Sequence, residues 1–271
     1  KDYKNILDYL DNLDETTNLI ACSVFDQKKD LFHWKPSSRI SESNIHSYVA
    51  LSPLSTYMTG LIYRVESLNQ INITDLMNPT IGNAYGHLDM NLHVLLDGKL
   101  GFYCDKFVEK GSDIKFGGDG YSHKSLNSSM SISDPQNLDL NPSIYGPRAR
   151  ARQFYYRENL LNELKDSIGF ISMCIGKLNY IDFFYKGIMS SDEFVILPKN
   201  TILKKEALAA YHDSKANKEY SGSIASLFFT LLLRFPKFIS NPLFFTLSFL
   251  NRMIRKAYML HLSFTQQNYK D

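Results

Sequence analysis

The stretch after Tyr220, "SIASLFFTLLLRFPKFISNPLFFTLSFLNRMIRKAYMLHLSF", constrains this chain more than any other part of it. Leucine and phenylalanine dominate, so the surface must be covered by the rest of the chain or by something else. Pro236 and Pro242 divide it, and neither apolar run reaches the roughly 18–20 residues that a spanning helix requires. Two helices are therefore expected, with two competing coverings. In one, both helices pack on the domain as core. In the other they form an interfacial hairpin, with aromatic and leucine side chains in lipid. Arg234, Lys237, Arg252, Arg255 and Lys256 then lie at the headgroups. The second covering makes residues 224–260 a docking segment for a membrane surface or a membrane protein.

The remainder is long enough to enclose a core of its own. The chain has 271 residues, 44% of them hydrophobic, which suits one large domain or a domain with an appendage. Thirty basic against 28 acidic residues leave a net charge of +2, so no global field points to nucleic acid. Cys22, Cys104 and Cys174 are too far apart for a zinc pattern and odd in number, so each is expected to pack as a small hydrophobe. His87 and His93 lack companions at metal-ligand spacing, and no metal is expected. "GGDG" lacks the lysine and the following Ser or Thr of a phosphate-binding loop.

Periodicity predicts a helix over 2–13, with Ile6, Leu7, Leu10 and Leu13 on one face. Gly60 to Val65 reads as a strand. "MNLHVLLDGKLGFYCD" reads as a hairpin turning at Asp97-Gly98. "DIKFGGDGYSHKSLNSSMS" reads as a glycine- and serine-rich strand, and residues 134–150 as a loop. "ARQFYYRENLLNELKDSI" reads as an amphipathic helix. "GFISMCIGKL" reads as a buried strand, followed by the turn "FFYKGIMSSD" and the strand "EFVILP". The arginines of "GPRARAR", with Arg157 nearby, are expected on a solvated face. The order of elements implies an α+β class.

Three of these stretches have a chemical character beyond their periodicity. "GLIYRVESL" ends a strand in Tyr63-Arg64, "GYSHKSLN" places serines behind an aromatic, and "SSDEFVILPKNT" sets two acids before an apolar strand. In this order they resemble the arginine–serine–glutamate class of mono-ADP-ribosyltransferases, over about Gly60 to Leu203. The resemblance implies a split β-sandwich. It also implies NAD as substrate, with cleavage of the nicotinamide–ribose bond and transfer of ADP-ribose to a protein. Such a transition state is oxocarbenium-like, as in glycoside hydrolysis. Nicotinamide leaves already charged, so the site must hold the pyrophosphate and stabilise charge developing on the ribose.

The implied catalytic residues are Arg64, for bidentate phosphate contact, Ser125, which fixes the strand pair, and Glu193, beside the ribose 2′-hydroxyl. Ser128 or Ser129 takes the place of Ser125 if the register of the motif slips. Tyr63, Tyr121 and His123 join Arg64 and Ser125 around NAD, with His123 where the family has serine. Tyr121, Tyr145 or Phe154 is left to stack on nicotinamide. Tyr185 (or Phe184), Ser191 and Asp192 would face the acceptor. Ser191 stands where the family carries an acid or glutamine, which weakens the case for an arginine acceptor. The expected layout is an N-terminal helical region over 1–50, a catalytic core over 51–210 and an apolar helical extension over 211–271. A bacterial effector or toxin, translocated into a host cell and membrane-associated, is the implied setting. The alternatives are an NAD glycohydrolase using the same site and an inactive membrane-associated binding module.

Overall fold

The computed structural model describes residues 4–26, 30–34, 42–51, 60–71, 86–109, 147–189, 201–216, 218 and 220–267. Helix α1 (Lys4–Asp11) precedes strand β1 (Thr17–Asp26), which organises a small mixed sheet. One edge of β1 pairs antiparallel with β2 (Leu31–Trp34) and with β4 (Leu61–Tyr63). It also pairs, in parallel, with β5 (Lys99–Glu109), in the register Thr17↔Lys99, Ile20↔Gly101 and Cys22↔Tyr103. The short β3 (Glu42–Ser43) then closes on β5.

Successive strand residues point to opposite faces, and here both faces are covered. Leu19 and Ala21 enter the main core, while Ile20 and Cys22 join Ile6 and Tyr103 beneath α1. The near-continuous apolar run "NLIACSVF" follows from that double burial. Between Cys22 and Val24 the register with β5 shifts. There the buried Ser23 hydroxyl lies 2.9 Å from the Asp105 carbonyl and 3.1 Å from that of Tyr103, so the irregularity keeps hydrogen bonds.

Helices supply the larger layer. After α2 (Ile45–Leu51), α3 (Val65–Asn69) and α4 (Gly86–Val94) come α5 (Pro147–Glu163), the single turn α6 (Lys165–Ile168) and α7 (Phe170–Met189). Pro147 is the first residue of α5, where a missing N–H leaves no bond unmade. Gly169, at φ +76°, turns the chain between α6 and α7. Helix α7 crosses α2 so closely that a Cβ on Gly176 would lie 2.5 Å from Val49 Cγ1. Next to that crossing, buried Asn179 donates to the Ala50 carbonyl at 2.7 Å, satisfying the end of α2.

The chain closes with α8 (Thr201–Ala216), α9 (Ile224–Arg234) and α10 (Lys237–Gln267). Ser223 caps α9 by accepting from the Ser226 amide. At the break before Pro236, Lys204 of α8 donates to the carbonyls of Leu232 (3.1 Å) and Phe235 (2.6 Å) and to Ser240 Oγ (2.7 Å). Burial, with the charge of Lys237 adding to it, lowers the Lys204 pKa to about 8. Its three donors hold α8, α9 and α10 together. Among the described residues no helix is long and apolar enough to cross a membrane.

The α+β class stands, and several expected elements change type. "MNLHVLL" is not the first arm of a hairpin. It is the end of α4 and the turn after it, so Asp97-Gly98 joins a helix to a strand that pairs in parallel with β1. Residues 170–178, expected as a strand, begin the twenty-residue α7. A short apolar run fits either period, and here the length of the segment decides for helix. The turn expected from Phe183 is helical through Met189. The loop expected over 134–150 is helical from Pro147. Residues 17–26, inside the region expected to be helical, form the strand on which the sheet is built. The expected strands over 113–131 and 193–198 lie outside the described residues.

Candidate functional site

Tyr63 and Arg64 sit where β4 ends and α3 begins. The Arg64 amide donates to the Asn18 carbonyl at 2.9 Å, extending the pairing with β1 by one step. Its guanidinium reaches back across the start of β1. Nε donates to the Thr17 carbonyl at 3.1 Å, and Nη2 approaches the Asp14 carbonyl at 3.5 Å. Among the described residues Nη1 has no hydrogen-bond partner. A pinned Nε fixes the plane of the fork and leaves an outer nitrogen to meet an anion. The turn below is equally ordered. Asp14 accepts from Lys99 Nζ and from the Thr16 amide and hydroxyl, each at 2.8 Å, and these bonds hold its carboxyl well below the usual range.

Two depressions flank this point and share Asn18 as a wall. The first, of about 180 Å³, is lined by Leu10, Leu13, Ile20, Ile62, Tyr63 and Arg64. The second, of about 420 Å³, gathers Gln70, His93, Asp97, Tyr156 and Glu163. Ligand pockets commonly measure about 300–1,000 Å³, so the second has ligand dimensions and the first alone does not. Nothing in the spacing of His93, Asp97, Tyr156 and Glu163 announces the second depression. It arises where α4 and the turn after it meet α5, beside the end of α3 and Asn18 of β1.

Behind the site lies a chain of buried polar groups. The Tyr63 hydroxyl donates to Asn91 Oδ1 at 2.6 Å, and Asn91 Nδ2 donates to the Tyr48 hydroxyl at 3.0 Å. Burial raises both phenols above their ordinary pKa, so both stay protonated. On the same helix, Asp89 and Arg157 of α5 form a fully buried ion pair, with Nε to Oδ1 at 2.8 Å and Nη2 to Oδ2 at 3.3 Å. The Arg157 guanidinium also lies 5.5 Å from the Phe184 ring centroid. The expected solvated face is thus corrected at Arg157. Arg148, half-buried, pairs with Asp213 of α8 at 2.6 Å.

Of the residues named from sequence, Tyr63 and Arg64 meet at this site, with Tyr63 turned inward to Asn91. Ser125, Tyr121, His123, Tyr145, Ser191, Asp192 and Glu193 lie outside the described residues, as do Ser128 and Ser129. Phe184 and Tyr185 do not stand on a turn. Both are buried on α7, with Tyr185 4.6 Å from Phe244. Phe154 is enclosed in the core, stacked at 3.9 Å on Phe229, and offers no face to nicotinamide. Among the described residues there is no cluster of His, Cys, Asp and Glu arranged to hold a metal.

A second buried charge, Glu158, has no counterpart in the sequence reading. Its carboxylate accepts from Lys177 Nζ (2.8 Å), Ser226 Oγ (2.8 Å) and the Ser221 hydroxyl. Burial works against its charge, but these donors outweigh it and hold the pKa below the ordinary value. With every donor supplied from within the fold, Glu158 acts as a structural clamp between α5, α7 and the start of α9. No protein-family model matches this chain, and no curated protein or solved structure matches it significantly.

Proposed function

We propose that this chain is a mono-ADP-ribosyltransferase, which transfers ADP-ribose from NAD to a protein acceptor and releases nicotinamide. Three motifs in family order support this activity, and so does the place of Arg64. It ends a strand paired to the centre of the sheet, with Nε tied to the Thr17 carbonyl beside two depressions. A guanidinium fixed in this way suits the pyrophosphate, which must be held while the glycosidic bond breaks. Glu193 would stabilise charge developing on the ribose, and Ser125 would orient it. The NAD contact of Arg64 exists before bond cleavage, whereas that of Glu193 strengthens during it.

The test is NAD turnover and labelling with a tagged NAD analogue in host-cell lysate. Glu193→Ala should lower turnover on the order of 100-fold or more at unchanged NAD affinity. Arg64→Ala should raise KM as well, with the far-ultraviolet dichroism of both variants unchanged. A discrete labelled protein, lost with Glu193→Ala, supports transfer. Nicotinamide release without labelling reassigns the site to a glycohydrolase. Absence of turnover with membranes and lysate supplied overturns both readings.

A further inference from the structure

Helix α10 packs with its faces reversed. Ser240, Phe244, Ser248 and Asn251, spaced four, four and three apart, form the stripe that is turned inward and buried. Phe238, Phe245, Phe249, Met253, Leu260 and Phe264 lie on the opposite side, each between 51% and 78% exposed. Apart from Phe244, the inner stripe is polar, and the other four phenylalanines are outside. Two ammonium groups fix this orientation. Lys204 Nζ donates to Ser240 Oγ at 2.7 Å, and Lys186 Nζ of α7 donates to Ser248 Oγ at 3.3 Å. Turning the helix over would bury the phenylalanines but remove the serine contact of a buried lysine.

Charge identifies what the outer face fits. From Tyr220 to Gln267 the chain has no Asp or Glu, and it carries Arg234, Lys237, Arg252, Arg255 and Lys256. Arg252 and Lys256 are exposed; on a helical projection Arg252 borders the phenylalanine face and Lys256 lies within its near edge, where its long stem can carry the ammonium outward. Two copies of this face brought together would set cations against cations with no acid to offset them. An apolar face carrying cations at its edge is instead complementary to a lipid surface with anionic headgroups. At 1.5 Å per residue the 31 residues of α10 extend about 46 Å, long enough to lie flat along such a surface.

We propose that α10 docks this protein on an anionic lipid surface, lying in its plane. Phe245, Phe249 and Met253 enter the headgroup–acyl boundary, and Arg252 and Lys256 meet the headgroups. The proposal is independent of the transferase assignment. It is tested by co-sedimentation of the full chain with phosphatidylcholine vesicles, with and without about 30% phosphatidylserine. At about 0.1 M salt, binding should be roughly 10-fold or more stronger with phosphatidylserine, and it should weaken as salt is raised. The triple variant Phe245→Ser, Phe249→Ser, Met253→Ser should lose binding at an unchanged thermal midpoint, because all three side chains already face outward. Arg252→Gln with Lys256→Gln should erase the preference for phosphatidylserine. Absence of vesicle binding overturns the proposal, and so does equal binding to both compositions or full binding by the triple variant. A chain that self-associates through this face and ignores vesicles also overturns it, assigning the surface to a second copy.

Discussion

Helices α5 and α10 show how little hydrophobicity alone says about position. Helix α5, "PRARARQFYYRENLLNE", carries four arginines and two glutamates, yet it lies at the centre of the helical layer. Arg157 and Glu158 on it are fully enclosed. Helix α10, with five phenylalanines, turns four of them outward and buries two serines and an asparagine. The difference lies in pairing. Each buried charge of α5 meets a partner on another element, Asp89 of α4 or Lys177 of α7. On the outer face of α10, Phe238, Phe245, Phe249 and Phe264 are instead more than half exposed. A buried charge persists when its neighbours hold it, and an apolar face stays exposed when its inner side is anchored by other bonds.

The largest effect should come from breaking the α5 pair. Asp89→Ala leaves the Arg157 charge buried without its carboxylate, and should cost about 3–5 kcal/mol in a urea or guanidinium titration. Combining Asp89→Leu with Arg157→Met should recover most of that loss, since an apolar pair of similar volume removes both desolvation costs. If the double variant is no better than the single, the ion pair is not what fixes α5 in the core.

Glu158 sharpens the same point through pH. Glu158→Gln should cost about 1.5–3 kcal/mol at neutral pH, because the hydrogen bonds it weakens are to a charged group. Its carboxyl is held below the ordinary 4.5 in the folded protein, so its contribution is complete above that pH. As pH falls below 4.5 and towards the folded value, the wild type loses this contribution and the gap to Glu158→Gln should close. A gap that stays constant from neutral pH to about pH 3 would show that the charge on Glu158 contributes nothing.

Lys204→Met should follow with a loss of about 1–3 kcal/mol, since two carbonyls at the end of α9 and the inner serine of α10 lose their donor. Hydrogen exchange should then speed up in α10 before it does in β1. The smallest effect belongs to the outer face. Phe245→Ser or Phe249→Ser should shift stability by no more than about 0.5 kcal/mol. By contrast Phe229→Ala, stacked on Phe154 in the core, should cost about 3–5 kcal/mol in the same assay. Equal costs for Phe249 and Phe229 would mean that the α10 face is covered after all.

Much of the local architecture is legible in the residues. The helix α1, with Ile6 buried although Leu7 is exposed, the strand ending at Tyr63, the helical period of α5 and the helices after Tyr220 follow from spacing and from Pro and Gly positions. Two of the elements that change type share one cause. "MNLHVLL" and "GFISMCIGKL" are short apolar runs that fit a strand or a buried helix equally, and both are helical because long-range packing decides between the two periods. The strand β1 carried a usable signal, the unbroken run "NLIACSVF", whose lack of alternation marks burial on both faces. Of the candidate site, Tyr63-Arg64 was legible as a strand end. The depression around His93 and Glu163 was not, because its residues come from β1, the end of α3, α4, the turn after it and α5, far apart in the chain.

By itself the sequence determined that this chain folds with mixed α and β elements, that the apolar stretch after Tyr220 is two helices, and that too few apolar residues run together there to span a membrane. These are local quantities, set by the identity and spacing of neighbours. Only the tertiary structure decided that Arg157 and Glu158 are interior, that Phe154 and Tyr185 are core, and that α10 presents its phenylalanines outward. Each of those depends on a partner more than ten residues away, and burial is a property of the pair rather than of either residue alone.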